Sequence, residues 1–271
     1  INDPKRRHIH KASVRDRLLH HAVYRILYPF FDRTYISDSY SCRDSKGVHR
    51  AINRFRQLAQ VVSKNHSRTA WVLKCDIRKF FASIDHKKLI SILKIHIPDQ
   101  NIIWLLENVI GSFCTETQVG VGLPLGNLTS QLLANVYMNC FDQWAKHKLK
   151  AKYYIIYADD FVFLSHDKIW LKSIVPKIQV FLQTDLKLVL HPTKLFLNTM
   201  TSGVDFLGWI HFPDHRLLRN KTKQRMFRNI RSSISEASLT SYLGLINHGN
   251  TIELREQVIG EYWLWRSVFE Y

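Results

Sequence analysis

The sequence predicts an α+β fold built on an antiparallel sheet, and three observations predict it. Lys152–Ser165, KYYIIYADDFVFLS, sets two aromatic and β-branched runs on either side of a short polar turn, which is the pattern of a β-hairpin. Trp71–Ile77, WVLKCDI, is a second strand-like run, closing on the carboxylate of Asp76. Long stretches around them carry apolar residues at helical spacing.

Composition narrows the function classes. At 271 residues the chain can bury a full core, and 46% apolar content marks it as globular rather than disordered. No apolar run is long enough to span a bilayer, and no signal-peptide pattern opens the chain. Ile1-Asn2-Asp3-Pro4 reads like an entry into the middle of a fold, so a native segment is expected ahead of it. Lys and Arg number 39 against 22 Asp and Glu, a formal excess of +17 spread along the whole chain and interleaved with aromatics. Such an excess points to a polyanionic partner, with phosphate backbones the usual one. Membrane-surface binding is disfavoured, because no basic amphipathic helix stands apart from the fold. Cys42, Cys75, Cys114 and Cys140 lack paired spacing and are expected as reduced core residues. The His20-His21 and His8/His10 pairs have no further ligand at metal spacing.

In chain order, Val14–Phe31 reads as a helix closed by Pro29. Tyr35–Arg50 is a turn-rich basic loop, suited either to closing over phosphates or to serving as an ordinary connection. Ala51–Val62 is helical. After the Asp76 strand comes a helix entry with Asp85 as N-cap. Gly120, Gly122, Pro124 and Gly126 form a loop, Asn127 caps the next helix, and the helical run reaches Trp144. Glycines there permit close approach of another backbone, and the helix N-terminus offers N–H groups to anions. Beyond the hairpin, Lys168–Thr184 is helical with Pro176 as a kink or break. Leu186–Leu190, Leu195–Asn198 and Val204–Phe212 are expected strands. From Lys221 onward the chain is basic and helical, and a boundary is placed near residue 213.

The acids carry the chemistry. Asp159 and Asp160 crowd the tip of an apolar hairpin, and Asp76 ends an apolar strand. Asp is a favoured turn residue, but burying carboxylates costs several kcal/mol without a compensating cation. If strand and hairpin share one sheet, the three acids converge. Two Mg²⁺ ions about 3.5–4 Å apart would then clamp the attacking and leaving oxygens of a phosphoryl transfer.

Tyr157-Ala158-Asp159-Asp160 resembles the catalytic box of reverse transcriptases. KCDIRKFFASIDH around Asp76 resembles their first catalytic motif, and LPLGNLTSQLLANVYMN the helix-opening motif between the two. The likeness continues to His191-Pro192-Thr193-Lys194 and to VDFLGW, which is similar to the primer-grip segment with Phe206, Leu207 and Gly208. It covers nearly the whole chain in the right order. It implies a right-hand polymerase: fingers at 1–70, a palm at 71–212 with an inserted fingers segment at about 87–120, and a short helical thumb at 213–271.

By the same resemblance, Asp76, Asp159 and Asp160 are the catalytic residues. They bind two Mg²⁺ ions, with Mn²⁺ as a substitute, together with the backbone carbonyl of Ile77. Phe81 matches the steric gate against a ribose 2′-OH. Leu125 and Gly126 lie near the incoming nucleotide, and Arg43, Lys46 and Lys194 near its triphosphate. Lys194 is also a candidate proton donor to pyrophosphate. GNLTSQLLANVYMN, RDRLLHHAV and DSYSCRDSKGVHRA look most like the enzymes of diversity-generating retroelements, which copy template adenines with errors. Group II intron enzymes, the nearer relatives, usually carry Gln at the Leu125 position. The partners implied are template RNA, primer and cDNA, dNTPs and an accessory protein, in a prokaryotic or phage-encoded cytoplasmic setting. The alternatives are an intron-like or defence-associated reverse transcriptase, and a catalytically idle RNA-binding scaffold.

Overall fold

A computed structural model describes residues 9, 10, 12–113, 118–232 and 235–269. The opening Ile1–Pro4, His8 and Cys114 lie outside the described residues. The chain divides into two compact units, Ile1–Ala51 with Leu73–Leu197, and Ile52–Val72 with Asn198–Tyr271.

The larger unit is organised around a four-stranded sheet of β1 (Trp71–Asp76), β2 (Tyr154–Tyr157), β3 (Asp160–Ser165) and β4 (Phe196–Thr199), in the order β2-β3-β1-β4. β2 and β3 form the expected antiparallel hairpin, in register from Tyr154↔Phe163 to Tyr157↔Asp160. Four successive β3 residues, Phe161–Leu164, are buried, as in a strand covered on both faces. Helix α6 (Leu128–His147) supplies part of that cover: Phe141 lies 4.9 Å from the Phe161 ring and 6.0 Å from that of Tyr154. Helix α7 (Lys168–Leu186) packs on β3. Each fully buried Phe or Leu here contributes about 1.5–3 kcal/mol.

Helix α1 (Val14–Asp32) is capped by Ser13, which accepts from Asp16 N–H. Pro29 does not close it. Only one N–H is lost near the last turn, and Tyr28 and Phe31 on either side are buried, so packing carries the helix to Asp32. Pro176 likewise sits inside an unbroken α7, between the buried Ile174 and Ile178. Between β1 and α6 the chain forms α3 (Phe80–Ser83), α4 (His86–His96) and α5 (Gln100–Gly111). Asp85 caps α4 as expected, accepting from Lys88 N–H at 2.8 Å. Asn127 stands at the N-cap of α6 without a side-chain capping bond.

The strand expected at Leu186–Leu190 is absent. Leu186 ends α7, Lys187 turns left-handed at φ +51°, and only Leu190 bridges to Ile77. Cys75 is buried, whereas Cys42 is exposed on a turn at φ +49°, against the expectation of a core position.

The second unit joins α2 (Val48–Ser63), most of which belongs to it, to a sheet of β5 (Val204–Phe206), β6 (Trp209–His211) and β7 (Arg216–Leu218). The run expected as one strand, Val204–Phe212, is therefore a hairpin. Leu207 at φ +50° and Gly208 at φ +89° make a two-residue turn, and Phe206 pairs with Trp209. A mostly apolar run hides such a turn, because Leu is rarely chosen for the left-handed region. Phe55 of α2 packs against Phe206 and His211, with ring centroids at 5.2 and 4.8 Å. Three helices complete the unit: α8 (Asn220–Ser232), α9 (Glu236–Ile246) and α10 (Ile252–Phe269). Among the described residues, no helix is long and apolar enough to cross a membrane.

Candidate active site

The sheet brings the three acids together. Asp76 ends β1, Asp159 occupies the hairpin turn and Asp160 begins β3, the strand beside β1. Ile77 N–H donates to the Asp159 carbonyl at 3.2 Å, so backbone ties the end of β1 to the turn of the hairpin. The turn itself needs a positive φ, and Ala158 adopts it at +56°. Side chains two residues apart on a strand share a face, which places Lys74 with Asp76 on β1.

Two lysines face this cluster. Lys194 Nζ lies 2.7 Å from Asp76 Oδ2, and Lys74 Nζ lies 3.2 Å from Asp160 Oδ2. Burial pushes the Asp160 carboxyl up to about 6, against the pull of Lys74. Asp159 and Asp76 push it the same way as burial, which is the electrostatic signature of converging carboxylates. Asp160 Oδ1 is buried with no hydrogen-bond partner. An unpartnered buried oxygen beside two further carboxylates fits a hard cation such as Mg²⁺, which takes oxygen ligands. Among the described residues, no three His, Cys, Asp or Glu side chains are gathered closely enough to hold a metal ion as they stand; Asp76 and Asp160 are each paired with a lysine instead.

The other candidates are each fixed by contacts of their own. Phe81 is half-buried on α3, edge-on to the buried Phe80 at 5.5 Å. Its carbonyl accepts from Leu123 N–H at 2.7 Å, which joins α3 to the Gly-rich loop. Leu125 is half-buried, and its carbonyl accepts from His10 N–H. Gly126 (φ +106°) is approached closely by Ile9: a Cβ there would stand 2.8 Å from Ile9 Cγ2. The space left by the glycine is thus taken by a side chain of the protein itself, that of Ile9.

Arg43 is only 7% exposed. Its guanidinium is committed to Asp32, to the carbonyls of Ile36 and Ser39, and to the face of Tyr35. Lys46 Nζ donates to Ser37 O and sits over the Tyr40 ring. Their loop is stitched to β2 through Tyr40 N–H to Ile156 O and Ile156 N–H to Asp38 O, so it is a fixed connection in this structure. Phe206, Leu207 and Gly208 belong to the second unit. Lys74 was not singled out by the sequence. Its position two residues before Asp76 was the available signal.

Comparison with known proteins places this arrangement. Residues 2–211 match the family described as reverse transcriptase (RNA-dependent DNA polymerase). Protein YkfC of Escherichia coli is 25% identical over 276 residues, covering 85% of this chain and 70% of that one. The group II intron-encoded protein LtrA of Lactococcus lactis subsp. cremoris is 25% identical over 156 residues, covering 56% of this chain but 25% of LtrA. Among solved structures, telomerase from Candida albicans in complex with a TWJ fragment of telomeric RNA superposes with a TM-score of 0.58 at 12% identity, over 94% of this chain and 47% of that one. Apo telomerase from Candida tropicalis gives 0.59 at 11% identity, over 79% and 43%. The structural likeness establishes the fold, and the match over residues 2–211 establishes the family. The chain belongs to the reverse transcriptases and carries their RNA-dependent DNA polymerase domain.

Proposed function

We propose that this chain extends a DNA or RNA primer on an RNA template, consuming dNTPs at the Asp76–Asp159–Asp160 cluster. The observation that carries the reading is the convergence of three carboxylates from β1 and the β2–β3 hairpin, tied by the Ile77–Asp159 backbone bond. Asp76 and Asp159 would be the principal metal ligands, with Asp160 and the Ile77 carbonyl in support. When bound there, Mg²⁺, or Mn²⁺ in its place, supplies Lewis-acid stabilisation of the oxygens between which the phosphoryl group passes. Lys194 carries the proton that a departing pyrophosphate takes up. A scaffold that merely bound RNA would gain nothing from crowding three acids at a sheet edge.

Phe81 serves as the gate against ribonucleotides. It stands half-exposed beside a fully buried Phe80, so its ring is not committed to the core. Phe81→Ala should raise rNTP incorporation relative to dNTP by about tenfold or more, since a lost steric clash is worth 1–3 kcal/mol. Unchanged discrimination would return Phe81 to a packing role.

The finer reading is error-prone copying at template adenines in a diversity-generating retroelement, assisted by an accessory protein. Leu125 supports it: an apolar side chain offers the incoming nucleotide no hydrogen bond, so selection leans on shape. Primer extension on an RNA template, with sequencing of the product, tests this. Leu125→Gln should lower misincorporation at adenines several-fold, and an unaltered spectrum would remove Leu125 from the explanation. Accurate copying by the wild type would favour a second reading, an intron-like reverse transcriptase, which the similarity to LtrA supports.

A further inference from the structure

Two lysines meet the acid cluster, and they differ in how they are held. Lys194 lies in a loop with its side chain 36% exposed, where water screens its pairing with Asp76. Lys74 stands within β1 with its side chain 14% exposed, against an Asp160 that is 20% exposed. A strand-borne, largely buried ammonium is a fixture, because leaving would strand two charges in a low-dielectric setting. Its contact is also one-sided: it takes Asp160 Oδ2, while Oδ1 stays buried without a hydrogen-bond partner. A carboxylate gripped at one oxygen has its rotamer fixed and the lone pairs of the other uncommitted.

We propose that Lys74 is a positioning residue of the acid cluster, pinning Asp160 through Oδ2 so that Oδ1 remains an acceptor for a divalent cation. This rests on the cluster being the metal site of the proposed polymerase. Lys74 also holds one positive charge among three negative ones, which lowers the repulsion that would otherwise splay the hairpin tip from β1. It plays the part of an outer-layer partner that orients a metal-binding carboxylate, and loss of such partners typically weakens metal binding by 10–100-fold.

The test is Mn²⁺ binding to the full chain without nucleic acid, followed by electron paramagnetic resonance, alongside dNTP steady-state kinetics. Lys74→Met should weaken Mn²⁺ binding about tenfold or more and lower kcat with little change in the KM for dNTP. Lys74→Arg, which keeps the charge and a donor, should stay within about threefold of wild type. Unchanged Mn²⁺ affinity in Lys74→Met would overturn the proposal. So would tighter binding, which would make Lys74 a mere competitor for the carboxylate. Should the Met variant fail to fold, Lys74→Gln replaces it, with the same outcomes expected. A wild type that binds no Mn²⁺ would sink the reading of the acids themselves; a Lys74→Met variant that binds like wild type sinks only the role of Lys74.

Discussion

Asp159→Ala should abolish primer extension, by about 10³-fold or more, while leaving the melting temperature within about 5 °C of wild type. Both halves follow from the geometry. The bond that ties the hairpin turn to β1 uses the Asp159 backbone carbonyl, which alanine retains. The side chain removed is one of two adjacent acids, and its charge opposes ionisation of Asp160. Deleting it therefore relieves that repulsion while removing an oxygen of the proposed metal site. Activity and melting temperature measured together decide the matter. Loss of activity with a melting point depressed by many degrees would make Asp159 a structural residue, and retained activity would empty the proposed site of its centre.

Asp142→Asn should stabilise the protein at alkaline pH and do nothing at acid pH. Asp142 of α6 is 2% exposed and accepts a hydrogen bond from Tyr154 Oη at 2.7 Å, beneath the same sheet. Burial pushes its carboxyl from 3.8 up to about 7, with the Tyr154 hydrogen bond pulling the other way. The folded state thus holds a proton that the unfolded chain has released, and stability falls as pH rises from about 4 to 7. Asparagine is neutral throughout, and its amide oxygen can still accept from Tyr154. Above pH 7 the gain should be roughly 2–4 kcal/mol, read as a rise of about 5–10 °C in midpoint. At pH 4 the two proteins should melt within about 2 °C of each other. An equal gain at both pH values would mean that packing, rather than ionisation, separates them.

Much of the acid site was legible because its signals are local. The hairpin announces itself by two apolar runs around a polar turn, and Asp76 by a charge at the end of an apolar strand. What escaped the sequence depends on neighbours distant along the chain. Lys74 looks like any solvated strand residue until β3 is laid beside β1 and Asp160 comes within reach. Arg43 reads as a cation in a loop, but Asp32 and three carbonyl oxygens gather around its guanidinium once the loop is stitched to β2. The β5–β6 turn hid inside VDFLGW because Leu207 accepts a backbone conformation that its type rarely takes. Pro29 and Pro176 sit inside helices because buried neighbours outweigh one missing hydrogen bond each.

The second unit is assembled from two stretches of sequence, residues 52–72 and residues 198–271, with 73–197 between them along the chain. Its α2 residue Phe55 therefore emerges from the ribosome long before Phe206 and His211, the rings it packs against. At synthesis rates of 5–20 residues per second the wait is about 8–30 s. Throughout that interval the Phe55 ring lacks the two rings that cover it in the folded protein. The packing of Phe55 is thus completed only when the β5–β6 hairpin has been made.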